Sequence, residues 1–118
     1  MIKGVHSVIL WTEDLPRLKG FYQDVVGLKL QMESEGFVVF EGAPAQLLLG
    51  THSEVHGPSK DPHRVMVDLI VDDCQAEYER LRARGVEFIR SPDKEDDGLV
   101  IATFADPEGN VLQLFQEG

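Results

Sequence analysis

The sequence contains a single cysteine, Cys74, and no apolar run that approaches the roughly 20 residues needed to span a bilayer. One cysteine cannot pair within the chain, which excludes a disulfide framework and favours a reducing compartment. The start of the chain is a poor match to a signal peptide, because His6 interrupts its short apolar run. We therefore expect a cytoplasmic protein with no membrane partner.

Basic residues are also scarce. The chain has 11 Lys and Arg against 21 Asp and Glu, which gives a formal net charge of −10. This excess of acid would repel a phosphate backbone, and no basic stripe offsets it locally. We expect no nucleic-acid partner and attribute the acidity to a solvated surface. The 118 residues are enough for one domain, or two small fused units, to fold without a structural metal.

The first half of the chain shows a strand, a helix and three strands. Residues 5–11 are almost wholly apolar and predict a buried strand. Asp14 is a suitable N-cap with Pro16 in the first turn, and the apolar period of the helix stops at Gly27. Short strands are predicted over residues 28–32, 37–40 and 45–49, with turns that include residues 41–44.

The second half repeats this order after a polar linker over residues 51–63. A strand is predicted over 64–71, followed by a helix that Asp72 would cap with Gln75 in a capping box, and by strands over 86–89, 99–104 and 111–115. Asp14 matches Asp73 at a shift of 59 residues, and Gly27 matches Gly85 at a shift of 58. We predict an α+β protein of two tandem βαβββ modules, residues 4–50 and 64–117.

Three segments of the chain resemble the vicinal oxygen chelate superfamily, which contains glyoxalases, bleomycin-resistance proteins and extradiol dioxygenases. They are residues 5–10, the Phe-Tyr-Gln-Asp-Val-Val-Gly-Leu segment over 21–28, and the Asp-Pro-Glu-Gly-Asn turn with its following strand over 106–114. The resemblance covers essentially the whole chain. It implies a single domain whose two modules form curled mixed sheets around a cleft, and a homodimer that covers exposed sheet edges.

The resemblance also implies a metal site with one ligand from the first and fourth strands of each module. The corresponding positions here are His6, Gln46, Met66 and Gln113. The family uses His or Gln, Glu, His and Glu, so amides replace both carboxylates in this chain. Zn²⁺, Ni²⁺, Fe²⁺ and Mn²⁺ draw on imidazole, thiolate and carboxylate ligands. We therefore expect a divalent metal to be bound weakly or not at all.

Asp68 is a further candidate in the second module. If Met66 faces the cleft, strand alternation puts Asp68 on the same face. A buried carboxylate is costly unless it is paired, so Asp68 could supply a metal ligand or a catalytic general base with a raised pKa. The alternative is a register that differs by one residue, with Asp68 facing solvent or the polar end of a helix.

The rest of the predicted cleft is apolar, so the expected partner is a small, partly apolar organic ligand. Leu10 stands where the resemblance to glutathione-dependent glyoxalases implies a carboxylate-binding arginine, which argues against a true glyoxalase I. Gln46 and Gln113 match across the repeat and should face inward together. The predicted ligand-binding residues are His6, Val8, Leu10, Gln46, Leu48, Met66, Asp68, Ile70, Gln113 and Phe115.

Three functions remain open at this point. The first is a ligand-sequestering protein with a degenerate or absent metal site, and the second is a metal-dependent lyase, isomerase or dioxygenase that uses His6, Gln46 and Gln113. The third is a regulatory or structural module without chemistry. The linker histidines His52, His56 and His63 are weak metal candidates, because Gly57 and Pro58 break the helix that would align them. Cys74 lies on a helix stripe and is expected to be a small buried hydrophobe.

Overall fold

The computed structural model describes residues 1–42 and 45–118. Ala43 and Pro44, which belong to the turn predicted over residues 41–44, lie outside the described residues. The chain divides into two compact units, Met1–Gly57 and Pro58–Gly118. Each unit contains one strand, one helical segment and three further strands in that order. The prediction of an α+β fold with two βαβββ modules is therefore confirmed.

The first unit consists of one four-stranded sheet and one helical segment. Its strands follow the order β1-β4-β3-β2, with β1 and β4 parallel and the other neighbours antiparallel. Strand β1 begins two residues later than the sequence predicted, because only from residue 7 onward does the backbone pair with β4. The elements are β1 (Ser7–Trp11), α1 (Leu15–Gly20), a π-helical continuation of α1 (Phe21–Val26), β2 (Leu30–Ser34), β3 (Phe37–Phe40) and β4 (Gln46–Gly50).

Both ends of the first helical segment follow the sequence signals. The Asp14 carboxylate accepts a hydrogen bond from the Arg17 backbone N–H at 3.2 Å, and Pro16 lies in the first turn. Gly27 ends the segment with φ of 91°, a left-handed conformation that glycine adopts at little cost. The π-helical turn was not predicted. In it, the Gly27 and Leu28 N–H groups both donate to the Tyr22 carbonyl, at 3.1 and 2.9 Å.

The second unit repeats this plan with the strand order β5-β8-β7-β6, in which β5 and β8 are parallel. Strand β6 begins at Phe88 rather than at residue 86, and it extends to Lys94 rather than ending at residue 89. The turn that follows is closed by a hydrogen bond from the Glu95 N–H to the Leu99 carbonyl at 2.7 Å. The elements are β5 (Val67–Ile70), α2 (Cys74–Ala83), β6 (Phe88–Lys94), β7 (Val100–Ala105) and β8 (Val111–Gln116).

The predicted N-cap of α2 was wrong by one residue. Asp73, not Asp72, caps the helix, and its carboxylate accepts a hydrogen bond from the Ala76 N–H at 3.1 Å. A side-chain cap must reach the N–H two or three residues ahead, and the helix begins at residue 74. Gln75 forms no capping box. Its side chain donates to Glu79 one turn further along the helix.

Each sheet has one face covered by the helix of its own unit. In the first unit the Tyr22 ring lies 6.4 Å from the Phe40 ring, which identifies the covered face of that sheet. In the second unit Tyr78 contacts Phe88, which in turn contacts Phe104, at 4.6 and 5.3 Å between ring centroids. Cys74 is fully buried, as predicted. Among the described residues, no helix is long and apolar enough to cross a membrane.

Candidate functional site

Strand pairing decides which residues of the first sheet face away from its helix. Residues that pair across parallel neighbours share a face. Ser7 pairs with Gln46 and Ile9 with Leu48 on one face. This is the face opposite to α1, and we call it the open face of the first sheet. At one end of it Gly50 leaves room for the Trp11 ring, because a Cβ there would lie 2.7 Å from the ring.

Two of the predicted ligand-binding residues lie on the other face. Val8 pairs with Leu47, and Leu10 pairs with Leu49. Leu47 pairs in turn with Phe40, whose ring contacts Tyr22 of the helical segment. The structure therefore corrects the prediction that Val8 and Leu10 line the same surface as Gln46. A shift of one residue along β1 is enough to exchange the two sets of side chains.

His6 precedes β1 and is exposed, and the structure does not place it beside Gln46. Its backbone carbonyl accepts a hydrogen bond from the Gln46 N–H at 3.2 Å. The residue that pairs with Gln46 is Ser7. The Gln46 side chain donates instead to the Gln31 carboxamide oxygen, across the open face. This polar pair was missed from the sequence, because Gln31 lies at an irregularity of β2 where alternation fails.

The second sheet carries a row of polar residues across all four strands. Asp68 on β5 pairs with Gln113 on β8, which pairs with Thr103 on β7, which pairs with Arg90 on β6. We call these four residues the polar row. The Gln113 Nε2 group donates to Thr103 Oγ1 at 3.4 Å. Thr103 and Arg90 were missed from the sequence, because only the pairing of distant strands aligns them with Gln113.

An apolar row lies next to the polar row on the same face. This face is opposite to α2, because Phe104, which follows Thr103 on β7, packs toward the helix through Phe88. We call it the open face of the second sheet. Ile70 pairs with Phe115, and Phe115 pairs with Ile101. Ile70 is 66% exposed. Since side chains alternate along a strand, residues two positions apart share a face, so this apolar row follows directly after Asp68 and Gln113. The predicted candidates Asp68, Gln113 and Phe115 therefore lie together, and Met66 is two residues before Asp68, just outside β5.

Asp68 is the unbalanced charge of the polar row. Of the two registers left open for it, the structure has the one that aligns it with Gln113, but Asp68 is exposed to solvent rather than buried as the sequence predicted. Within the described residues its carboxylate accepts no hydrogen bond and forms no ion pair, and partial desolvation raises its pKa above the usual aspartate value. Arg90, at the other end of the row, is balanced by Asp93 at 3.0 Å and Glu95 at 2.8 Å.

The donor atoms on the open faces do not fit a transition-metal ion in either unit. Ser7 and Gln46 offer a hydroxyl and an amide, and the equivalent pair in the second unit, Asp68 and Gln113, offers one carboxylate and one amide. Zn²⁺, Ni²⁺ and Fe²⁺ favour imidazole, thiolate or several carboxylates. Throughout residues 1–42 and 45–118, no three His, Cys, Asp or Glu side chains form a group that could hold a metal.

Two of the linker histidines, His52 and His56, have structural contacts in the first unit. The His52 ring packs edge-on against Trp11, with 5.2 Å between centroids. His56 Nδ1 lies 3.3 Å from a Glu13 carboxylate oxygen, and the Gly57 N–H donates to the same carboxylate. The hydrogen bonds from Gly57 and His56 lower the pKa of Glu13 below the usual glutamate value. The hydrogen bonds to Glu13 hold the segment after β4 against the turn that precedes α1.

Comparisons with known proteins agree with this architecture. The family model described as "Glyoxalase/Bleomycin resistance protein/Dioxygenase superfamily" matches residues 4–114. The uncharacterized protein YetH of Bacillus subtilis (strain 168) is 26% identical over 121 residues, which cover 97% of this chain and 98% of YetH. The antibiotic binding protein TnmS3 from Streptomyces sp. CB03234 superposes with a TM-score of 0.83 at 27% identity, over 99% of this chain and 98% of TnmS3. A superfamily member from Sphaerobacter thermophilus DSM 20745 superposes with a TM-score of 0.80 at 26% identity, over 98% of each chain.

Proposed function

The chain belongs to the Glyoxalase/Bleomycin resistance protein/Dioxygenase superfamily, and on that premise we propose that it binds a small, partly apolar organic molecule on the open face of its second sheet. The observation that carries the proposal is the polar row that runs beside the apolar row of Ile70, Phe115 and Ile101. Ligand sites in proteins are largely apolar, with a few polar groups that fix orientation. This face has that composition.

The likeness to TnmS3 supports the proposal, because that protein is an antibiotic binding protein and matches nearly the whole chain. The open face of the first sheet, with Gln46 and Leu48, has a similar mixture of polar and apolar side chains. A metal-dependent lyase, isomerase or dioxygenase would bind its ion through His6, Gln46 and Gln113, and one imidazole with two amides and no carboxylate suits a transition-metal ion poorly. We therefore propose binding rather than metal-assisted catalysis.

The binding proposal is tested by NMR titration of the ¹⁵N-labelled full chain with tryptophol, a neutral indole alcohol, and by thermal unfolding with bleomycin. We expect saturable shifts of amide signals in β5 and β8, and a Tm that rises with bleomycin concentration. Phe115→Ala should weaken tryptophol binding, because Phe115 lies at the centre of the apolar row. Ile2→Ala, which removes an equally apolar but fully exposed side chain, should not.

The proposal is overturned if tryptophol, its amine and carboxylate analogues and bleomycin all fail to shift β5 and β8 signals or to raise the Tm. It is also overturned if Phe115→Ala and Ile2→Ala have the same effect on tryptophol binding. Both variants retain the hydrogen-bonded strands, so their amide spectra report folding in the same experiment.

We also propose a cytoplasmic homodimer. Each sheet, taken by itself, ends in strands with unpaired backbone groups, such as β2 in the first sheet and β6 in the second. Such edges favour pairing or coverage by another chain. One chain has a mass of 13.2 kDa, and light scattering should give twice that mass. A mass of one chain at micromolar concentration would contradict the dimer.

A further inference from the structure

We infer that the ligand is an arylalkylamine, whose protonated amine is held between the Asp68 carboxylate and the Gln113 carboxamide oxygen while its ring covers Ile70 and Phe115. The inference rests on the proposed function and names the chemical class of the ligand. Three features of the second open face carry it: the orientation of one amide, the balance of charge along the polar row, and the spacing between the two rows.

The orientation of the Gln113 amide leaves two hydrogen-bond acceptors side by side. Its nitrogen donates to Thr103 on β7. Strands β7 and β5 flank β8 on opposite sides. The Gln113 carboxamide oxygen is therefore left on the side of β8 that faces Asp68. An ionised carboxylate only accepts hydrogen bonds. A ligand group that donates several hydrogen bonds therefore suits this position better than a second acceptor does.

The charge along the polar row favours a cation at the same position. Asp68 has no ion-pair partner among the residues that the structure describes. The positive charge of the row, Arg90, lies three strand spacings of roughly 4.8 Å away and is bound to two carboxylates. At that distance salt screens most of its attraction for Asp68. The net charge of −10 adds a long-range attraction for cations.

The spacing of the rows sets the distance between the cation and the apolar part of the ligand. Ile70 and Phe115 lie two residues beyond Asp68 and Gln113 along parallel strands. Two residues of extended strand span about 6.6 Å. A two-carbon linker between an aromatic ring and an amine matches that distance. An arylethylamine can therefore contact Asp68 and Gln113 with its nitrogen while its ring covers the apolar row.

Three indoles with the same two-carbon linker test the inference: tryptamine, tryptophol and indole-3-propionate. They carry a positive, a neutral and a negative end group at pH 7. Dissociation constants are measured by NMR titration of the full chain. We expect tryptamine to bind about two- to fivefold more tightly than tryptophol, the range of a partly exposed ion pair. Indole-3-propionate should bind most weakly.

The variant Asp68→Asn removes the charge but keeps the size of the side chain. It should bring the tryptamine-to-tryptophol ratio close to one, because a neutral amide no longer favours the charged amine over the alcohol. Asp97→Asn, which removes an exposed acid from the β6–β7 turn, should leave the ratio as in the wild type. The amide spectrum of each variant shows that it is folded.

The possible failures are distinguishable. If tryptophol binds the second sheet as tightly as tryptamine, or if the ratio survives Asp68→Asn, the amine inference is wrong and the binding function stands. If none of the three indoles and no bleomycin binds there, the proposed function itself is wrong.

Discussion

The turn between β7 and β8 allows a sharp test of the energetics of the second unit. The Asp106 side chain is 6% exposed. Its carboxylate accepts hydrogen bonds from the Glu108 N–H at 2.8 Å, the Asn110 N–H at 3.0 Å and the Asn110 side-chain amide at 2.8 Å. Asp106→Ala removes all three acceptor contacts at once and leaves the donors without them.

The size of this effect follows from the number of lost bonds. A hydrogen bond to a charged acceptor contributes about 1.5 kcal/mol or more after exchange with water, so three bonds give about 4 to 5 kcal/mol. One kcal/mol changes the Tm of a chain of this size by roughly 3 °C, which predicts a fall of roughly 13 °C. This is a large part of the roughly 5 to 15 kcal/mol that stabilises a typical domain.

The assay is urea and thermal unfolding followed by circular dichroism, with Asp97→Ala as a matched control. Asp97 also lies in a turn, but it is exposed and accepts one hydrogen bond, from the Leu99 N–H at 3.1 Å. Its loss should cost less than about 1 kcal/mol. If Asp106→Ala and Asp97→Ala differ by less than about 1 kcal/mol, the three hydrogen bonds do not stabilise the turn as argued.

Three further predictions concern other positions. Gly27→Ala should lower the free energy of unfolding in urea by about 1 kcal/mol, because the residue has φ of 91°. Nothing lies within 4 Å of a new Cβ, so backbone strain is the whole effect. Gly20→Ala, in a right-handed helical position, should not destabilise the protein, and equal effects of the two variants would contradict this. Asp68 has a raised folded-state pKa, so wild-type stability falls as pH rises from the usual aspartate range through the raised value. The stability of Asp68→Asn relative to wild type should therefore increase between pH 3 and pH 7 by about 0.5 kcal/mol or less, and a decrease would refute the assignment. Glu13 has a lowered folded-state pKa, so its contribution is present above the usual glutamate value and is lost as pH falls through the folded-state value. The advantage of wild type over Glu13→Gln in unfolding experiments should shrink from pH 7 to pH 3, and an advantage that persists at pH 3 would contradict this.

The candidate site was only partly predictable from the sequence. Gln113 and Phe115 were predicted from strand alternation and the resemblance, and Asp68 was left with two registers. The structure aligns Asp68 with Gln113. Arg90 was not predicted, because irregularities on both sides of it break the alternation along β6. A sequence pattern with period two carries no information past such a point.

The order of the elements and the ends of the first helix were determined by the sequence itself. Asp14 caps the helix because a short acidic side chain reaches the free N–H groups of the first turn. Gly27 ends the segment because the left-handed conformation strains other residues. The turn at Asp106 follows from its Asp-Pro-Glu-Gly-Asn composition in the same way. These are local effects, and each acts over a few neighbouring residues.

Which face of the sheet each strand residue lies on was decided only by the tertiary structure. The alternation of β1 allows either Ser7 or His6 beside Gln46, and hydrogen bonding to a strand far along the chain selects Ser7. The same pairing turns Val8 and Leu10 toward the helix. Because side chains alternate with a period of two, one residue of register exchanges the two faces of a strand completely. The composition of each open face therefore depends on contacts between strands that are distant in the sequence.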